Sequence, residues 1–352
     1  MKKYQFIDSL RGIAIIMVIL VHSYYASEKF TFSLSPITRQ VFISGQYGVQ
    51  LFFLLSAITL FISGKKKWLT EENATANFFR RRFFRIAPLY FIAIIYYTIQ
   101  NTTGFKFLST GVPAHLLEIK PIVLNFLFLH ALVPHYINSV VPGGWSIGVE
   151  MLFYCLVPLL IKGMRNLNYS IIFFSCSVFF MVVCNLVISP FISTEDKYFL
   201  YFYLPSQLPV FFLGIACYYF IIVKDRTVKK NALFLLLLSS VLLFYFGISY
   251  HISASLIFCL LIYYCYVSNS RILVNRVTEY IGKMSFSLYI VHFAAIFLLK
   301  KVGLIGLIPV TGSVSEILNH FSNFVIVISV SSAISYVTYN YYEMPLLKRF
   351  SK

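Results

Sequence analysis

Charge is scarce in this 352-residue chain. Only 12% of its residues are charged, whereas 59% are hydrophobic, and the mean hydropathy is +0.81. Soluble domains carry about a quarter charged residues, so this chain cannot cover its surface with polar groups and must lie in lipid. Its apolar runs are continuous rather than alternating, which argues against a transmembrane β-barrel. The sequence predicts an all-α polytopic membrane protein.

The chain also lacks the short signatures of many soluble enzymes. It has no P-loop and no GxSxG, HExxH or GxGxxG motif. None of its six cysteines lies in a CxxC pair, and all six fall in apolar runs, which is typical of small buried side chains. Five histidines have no acid or cysteine at metal-ligand spacing: His115, His130, His135, His251 and His320. We therefore expect no metal site and no tightly bound cofactor.

Acidic residues are outnumbered, 12 against 29 Lys and Arg, which gives a net charge of +17. In a soluble protein this excess would suggest nucleic acid, but the chain contains no nucleic-acid-binding motif. In a membrane protein, basic residues mark the cytoplasmic ends of the spans. We therefore expect membrane lipid as a partner and no nucleic acid.

Eleven hydrophobic segments can be marked, near residues 10–26, 47–63, 84–100, 119–133, 145–161, 169–189, 200–222, 232–249, 252–267, 285–300 and 319–341. Segment 119–133 is the weakest, because it is short, contains Asn125 and His130, and is bounded by Pro121 and Pro134. Non-crossing backbone at membrane depth is tolerated where it lines a cavity. This segment is therefore a candidate part of a substrate site.

The positive-inside rule decides whether that segment crosses. If all eleven segments cross from a cytoplasmic N-terminus, the basic cluster at 224–230 falls outside. If 119–133 is re-entrant or interfacial, 22 of the 29 basic residues fall inside, as the rule requires. The prediction is about ten spans with both termini cytoplasmic. No repeat, low-complexity tract or linker divides the chain, so residues 1–352 are predicted to form a single domain.

The first span carries two ionisable residues that are costly in lipid. Arg11 and His22 are 11 positions apart, only 20° beyond three full helical turns, so they share a face about 16 Å apart along the axis. Arg11 falls at the cytoplasmic end and His22 toward the outer end. Two structural interpretations stay open. Arg11 could anchor the end of the helix at the membrane surface, paired with Asp8, and His22 could be an interfacial histidine.

The third span opens with an arginine pair. Arg82 and Arg85 lie three positions apart on one helical face. As markers of the cytoplasmic side they need no further function. However, the apolar membrane segment follows Arg85 directly, so Arg85 lies deeper than an end anchor requires. Two forked guanidinium groups at a cytoplasmic membrane face suit a phosphate-rich ligand.

Another span starts from the outside near residue 145, and Glu150 lies one to two turns into it. A carboxylate there must be paired or protonated. In the ten-span topology it lies at a depth similar to that of His22, where it would orient the imidazole and raise its basicity. The alternative is a packing glutamate held by Ser or Tyr hydroxyls.

Two further sets of polar residues, later in the chain, can be interpreted as structural. Tyr289 and His292 are three positions apart in mid-membrane, either at the substrate or in a structural polar cluster. Glu343 ends the last span near the cytoplasm and is expected to be structural.

Four segments together resemble the acyltransferase-3 family of integral membrane O-acyltransferases. They are Asp8-x-Leu10-Arg11-Gly12 with His22, Gly48-Val49-x-Leu51-Phe52-Phe53-x-Leu55-Ser56, Arg82-x-x-Arg85-Ile86-x-Pro88-x-Tyr90, and Trp145-Ser146-x-x-x-Glu150-x-x-Phe153-Tyr154. The stretch holding Ser285, Tyr289 and His292 and the late Glu343-x-Pro345 also look like the family. One departure is Ala57, where a glycine is expected. The resemblance covers nearly the whole chain.

This resemblance implies a multi-pass protein of the bacterial cytoplasmic (inner) membrane. The donor would be cytoplasmic acyl-CoA, with acetyl as the expected acyl group, and the acceptor a hydroxyl of a surface polysaccharide or lipid-linked sugar. The implied roles are His22 as general base with Glu150 as its catalytic partner; Arg11, Arg82 and Arg85 on the CoA phosphates; and Trp145, Ser146, Tyr289 and His292 at the substrate. Asp8, about 21 Å from His22 along one helix, would hold Arg11.

Several alternatives stay open. A ping-pong route would first place the acyl group on His22 or Ser146. A polysaccharide or lipid-linked-oligosaccharide exporter also needs about ten spans and buried charge, although it predicts internal repeats that the sequence does not show. An ion-coupled transporter would use Glu150 and His292 as a proton relay. The sequence leaves the oligomeric state open.

Overall fold

The computed structural model describes residues 4–27, 34–102, 118–245, 250–268 and 270–350. It is 83% helix, and these ranges contain no strand. Their α-helices, in chain order, are α1 Gln5–Ala26, α2 Pro36–Ile43, α3 Gly48–Thr70, α4 Ala74–Thr102, α5 Ile119–Phe126, α6 Gly144–Gly163, α7 Leu167–Ile188, α8 Phe199–Phe202, α9 Leu204–Cys217, α10 Lys230–Tyr245, α11 Tyr250–Ser268, α12 Arg276–Lys283, α13 Ser285–Lys301, α14 Ser313–Thr338 and α15 Met344–Phe350.

The helices confirm the all-α membrane class. In the described part of the chain, eight helical segments are long and apolar enough to cross a membrane, or nine if α12 and α13, bent by 75°, form one span. Each of the ten predicted spans falls on helical structure, with 200–222 divided between α8 and α9. Helix α10 has 16 residues, and residues 246–249 that follow it lie outside the described ranges. The count of ten and the cytoplasmic termini remain predictions.

The segment near 119–133 is broken, in keeping with its prolines. Helix α5 has eight residues and is about 12 Å long, against a hydrocarbon core of about 30 Å. Two short 3₁₀ turns follow, at Leu129–Leu132 and Pro134–Tyr136. Helix α5 is therefore too short to cross by itself. Residues 103–117, which precede this segment and include His115, lie outside the described ranges.

Buried hydrogen bonds tie this segment to its neighbours. The Tyr90 hydroxyl of α4 donates to Asn125 Oδ1 over 2.8 Å, and His130 Nε2 lies 3.1 Å from the Gly144 carbonyl oxygen at the start of α6. A Cβ on Gly148 would lie 2.9 Å from the His130 ring, so the glycine lets the segment reach α6. The segment thereby positions the N-terminal end of α6.

Changing Tyr90 to phenylalanine is expected to lower the free energy of unfolding by about 1–3 kcal/mol, because it leaves the buried Asn125 oxygen without its donor. The measurement is the thermal unfolding midpoint of purified protein in detergent. Tyr96→Phe is the matched control, since Tyr96 lies on the same helix and is exposed. Equal midpoints for the two variants would show that this bond does not stabilise the fold.

Helix α1 lies at the centre and packs against α3, α12, α13 and α14. Its crossing with α12 brings main chain against main chain. A Cβ on Gly12 would lie 2.1 Å from the Thr278 carbonyl oxygen, and a Cβ on Gly282 would lie 1.7 Å from that of Asp8. The two glycines are required by this close approach, which fixes the turn that carries Arg11.

Burial separates inner from peripheral helices. In the segment Phe199–Val223 the apolar window is 78% buried, whereas in Ser313–Phe350 it is 28% buried. Large apolar side chains on the peripheral helices, such as Phe234, Ile257 and Phe321, are exposed. An apolar exterior is stable in lipid and not in water, in accord with a multi-pass membrane protein.

Candidate active site

A cavity lies among α1, α3, α4, α6 and α13, with about 690 Å³ of empty space that includes its open mouth. Its lining combines charged, hydroxyl and apolar side chains: Arg11, Val49, Phe52, Phe53, Ser56, Arg82, Arg85, Ile86, Ser146, Ile147, Glu150, Tyr154, Ser285, Phe286 and Tyr289. Helices that are distant in sequence therefore bring the three predicted phosphate-binding arginines, Glu150 and two predicted substrate residues into one space.

The three arginines come from two helices. Arg82 and Arg85 share one face of α4 because they lie three positions apart. Arg11 projects from α1, where its Nη1 lies 3.3 Å from Asp8 Oδ1 and its Nη2 donates to Thr59 Oγ1 over 2.9 Å. Asp8 is thus in contact with Arg11, and Thr59 from α3 is a further partner of that guanidinium.

Glu150 lies in the same cavity as these arginines. One of its carboxylate oxygens accepts hydrogen bonds from the Ser56 hydroxyl over 2.5 Å and the Tyr154 hydroxyl over 2.7 Å. The Arg82 guanidinium lies 5.7 Å from the centre of the Tyr154 ring. The lining thus carries three guanidinium groups and one carboxylate, so it is cationic.

Hydroxyl groups form another part of the lining. Ser146 Oγ and the Tyr289 hydroxyl lie 2.7 Å apart, and each is also within hydrogen-bond distance of the Gly143 carbonyl oxygen. Gly143 has φ +75° and precedes α6, and a Cβ there would lie 2.9 Å from the Tyr289 oxygen. Glycine is needed at this position for both reasons.

His22 is outside this lining and contacts α13. Its Nδ1 lies 3.1 Å from His292 Nε2, and its ring centre lies 4.4 Å from that of Phe293. His292 is fully buried, while His22 is partly exposed. Among the described residues, no direct contact joins His22 to Glu150, so any coupling between them runs through other groups.

The remaining predicted residues have these neighbours. Trp145 is buried, with its ring stacked on Phe202 at 4.4 Å between centres, and it does not line the cavity. Glu343 accepts a hydrogen bond from Ser287 over 2.7 Å and is buried. The functional roles given to all these residues stay predictions. Within the described ranges, no group of three or more His, Cys, Asp or Glu side chains is placed to hold a metal ion.

Sequence reasoning did not assign roles to Ser56, Thr59, Tyr154 or Ser285. Ser56 and Tyr154 hold Glu150, Thr59 holds Arg11, and Ser285 lines the cavity. Three of them stand inside the short motifs quoted above. For Tyr154 the available signal was its position four residues after Glu150, one helical turn away. Thr59 stands in none of the quoted motifs and had no comparable signal.

A family model described as an acyltransferase domain matches residues 4–340. The chain belongs to the acyltransferase-3 family. No curated protein and no solved structure matches it. Membership covers nearly the whole chain, which includes every helix that lines the cavity. This acyltransferase-3 protein is therefore a membrane acyltransferase, and the cavity is its candidate active site.

Proposed function

We propose that this acyltransferase-3 protein transfers an acyl group, acetyl being the expected one, from cytoplasmic acyl-CoA to a hydroxyl of a surface or lipid-linked glycan. The observation that carries the proposal is the collection of Arg11, Arg82 and Arg85 around one cavity whose lining has one carboxylate, Glu150. Asp8 pairs with Arg11 from outside the lining, so positive charge remains in excess. Like charges in a partly desolvated site repel one another strongly, and buried charge is costly unless it is paired. An anionic ligand would supply the missing charge, and the phosphates of CoA match forked guanidinium groups.

The donor arm would extend from the arginines along α1. Arg11 and His22 share a face of that helix about 16 Å apart, a span that suits a pantetheine arm. The thioester would then lie near Ser146 and Tyr289, whose hydroxyl groups line the cavity. The acceptor sugar would enter from the outer side, in the region of Trp145, and the protein would work in the bacterial inner membrane.

The proposed reaction needs one base. The acceptor hydroxyl oxygen attacks the thioester carbon while its proton passes to a ring nitrogen of His22. The carbon–sulfur bond then breaks, and the proton moves from His22 to the departing sulfur, so the products are the acylated sugar and the free CoA thiol. Glu150 remains the proposed acidic partner, linked to His22 through the bound substrates rather than by direct contact.

The test uses radiolabelled acyl-CoA and membranes from a host that displays the glycan. We expect wild type to transfer label to the glycan. Changing Arg82 or Arg85 to glutamine should weaken donor binding about 10- to 100-fold, because each loses a charge-assisted contact to phosphate. The effect should fall mainly on the KM for the donor rather than on kcat.

Arg271→Gln is the matched control. This change removes the same charge, but Arg271 is exposed and does not line the cavity. It should leave the donor KM unchanged. If wild type exports glycan and never labels it with any acyl-CoA tried, acyl transfer is wrong and an exporter takes its place. If Arg271→Gln weakens donor binding as much as Arg82→Gln, the arginine cavity is not the donor site.

A further inference from the structure

His22 and His292 form a directly hydrogen-bonded pair of imidazoles between α1 and α13. Nε2 of His292 lies 3.1 Å from Nδ1 of His22. The other nitrogen of His292, Nδ1, lies 3.1 Å from the Leu288 carbonyl oxygen, one turn earlier on α13. Both nitrogens of the buried ring are therefore engaged, one by an acceptor that cannot donate and one by a second imidazole.

The Leu288 carbonyl oxygen determines which ring nitrogens of the pair carry protons. A carbonyl oxygen only accepts, so the Nδ1 of His292 that faces Leu288 carries a proton. A neutral imidazole has a single N–H, so Nε2 of His292 is an acceptor. Nδ1 of His22 must then be the donor, which leaves Nε2 of His22 without a proton. The Val18 carbonyl oxygen, one turn before His22, also accepts a hydrogen bond from that ring. Because a neutral ring has a single N–H, Val18 and His292 share the Nδ1–H of His22 in this tautomer.

The opposite arrangement would need a charge in a fully buried place. If His22 Nδ1 were the acceptor, His292 would have to carry protons on both nitrogens. His292 has no exposed surface, its ring packs on Phe293 at 4.1 Å between centres, and no carboxylate in the described part of the chain contacts either imidazole. Burying an unpaired charge is far more costly than burying a hydrogen-bonded neutral ring.

We infer that His292 is a positioning residue that holds His22 in the Nδ1–H tautomer and so makes Nε2 of His22 the basic nitrogen. The inference rests on the proposed role of His22 as the general base. It replaces the substrate contact expected for His292 with an action through His22. The logic is that of a nucleophile–base–orienting-group triad, with a neutral imidazole in the place that a carboxylate takes in serine hydrolases.

The pair also gives the charged intermediate a partner. When Nε2 of His22 takes the proton of the acceptor hydroxyl, the ring becomes an imidazolium, and its Nδ1–H still donates to His292. That hydrogen bond then has a charged donor, and such bonds are stronger than neutral ones. His292 thus favours the protonated base without itself gaining or losing a proton.

The kinetic test compares two changes at one position. His292→Leu removes the acceptor with little change of volume and should lower kcat about 100-fold, as expected when a base is held in the wrong tautomer, with a smaller change in the donor KM. His292→Gln keeps an acceptor oxygen and should restore much of that loss. His251→Leu is the control, because His251 is a buried histidine on α11 that contacts Ser206 away from the cavity; its kcat per folded molecule should stay at the wild-type value.

The decisive readout is spectroscopic. Nitrogen-15 signals of the histidine rings, with His22 assigned by its loss in His22→Gln, should show a protonated Nδ1 and an unprotonated Nε2 in wild type. His292→Leu should produce a population with the proton on Nε2. A proton on Nε2 of His22 in wild type, or an unchanged kcat in folded His292→Leu, overturns the inference.

The two proposals can fail separately. If wild type transfers acyl groups but carries the opposite tautomer, the inference is wrong and the proposed function stands. If wild type transfers no acyl group, the proposed function is wrong, and the ring-nitrogen signals of wild type still decide whether His292 sets the tautomer. A poorly folding leucine variant does not matter to that reading, because it uses the wild-type protein.

Discussion

Replacing His22 by glutamine is expected to lower the rate of acyl transfer about 10²- to 10⁴-fold, the range that a positioned general base contributes. The amide keeps polarity and approximate size but has no basic nitrogen, so the acceptor hydroxyl would keep its proton during attack. The measurement is label transfer from acyl-CoA to the glycan, with each variant at matched membrane levels.

Binding and catalysis have to be separated for this variant. Donor affinity of His22→Gln should stay close to the wild-type value, because the three arginines that line the cavity are unchanged. His251→Gln, a second buried histidine, serves as the control and should keep normal transfer. If His22→Gln transfers label at the wild-type rate, another group is the base, whereas a loss confined to donor affinity would make His22 a binding residue.

Replacing Gly282 by alanine is expected to destabilise the protein by about 1–3 kcal/mol or more, the cost of overpacking a tight contact. The new Cβ would lie 1.7 Å from the Asp8 carbonyl oxygen, which belongs to a helical main chain and cannot rotate away. Helices α1 and α12 would have to separate. Because Asp8 contacts Arg11, the same displacement should also weaken donor binding.

Gly163→Ala is a matched control for this change. A Cβ on Gly163 would meet no atom within 4 Å. Gly163 is the last residue of α6, and Gly282 is the second-last residue of α12, so both changes fall at a helix C-terminus. The measurement is the fraction of monodisperse protein after heating in detergent, followed by acyl-CoA binding to the folded fraction. We expect Gly163→Ala to match wild type. An unchanged melting curve for Gly282→Ala would show that the crossing of α1 and α12 is looser than described.

The spans were the most predictable part of the fold. Continuous apolar runs identify membrane helices because lipid leaves the backbone no other partners. The prolines and polar residues of 119–133 correctly indicated a segment that does not form one long helix. The 75° bend between α12 and α13 was not predicted. The close approach of Gly282 in α12 to Asp8 in α1 joins distant parts of the chain, which no local pattern reports.

The candidate site was predictable in kind more than in geometry. Arg11, Arg82 and Arg85 stood out because cations are costly in a span, and one cavity does collect them. Glu150 was expected beside His22 because the two lie at similar depth, but depth gives no lateral distance, and its hydrogen-bond partners are Ser56 and Tyr154. The contact of His22 with His292 joins residues 270 positions apart, which no local pattern reports.

The same arrangement has a consequence for how the protein is made. Ribosomes release α1 first and α13 near the end, and the cavity takes side chains from both. Asn125 and His130 find hydrogen-bond partners on α4 and at the start of α6, so their segment can settle only after α6 has entered the membrane. Nascent chains that end before α13 contain the three arginines and Glu150 but lack Tyr289 and His292. Assembly of the site is therefore a late event in biogenesis, and premature termination anywhere before α13 leaves a membrane protein with an incomplete site.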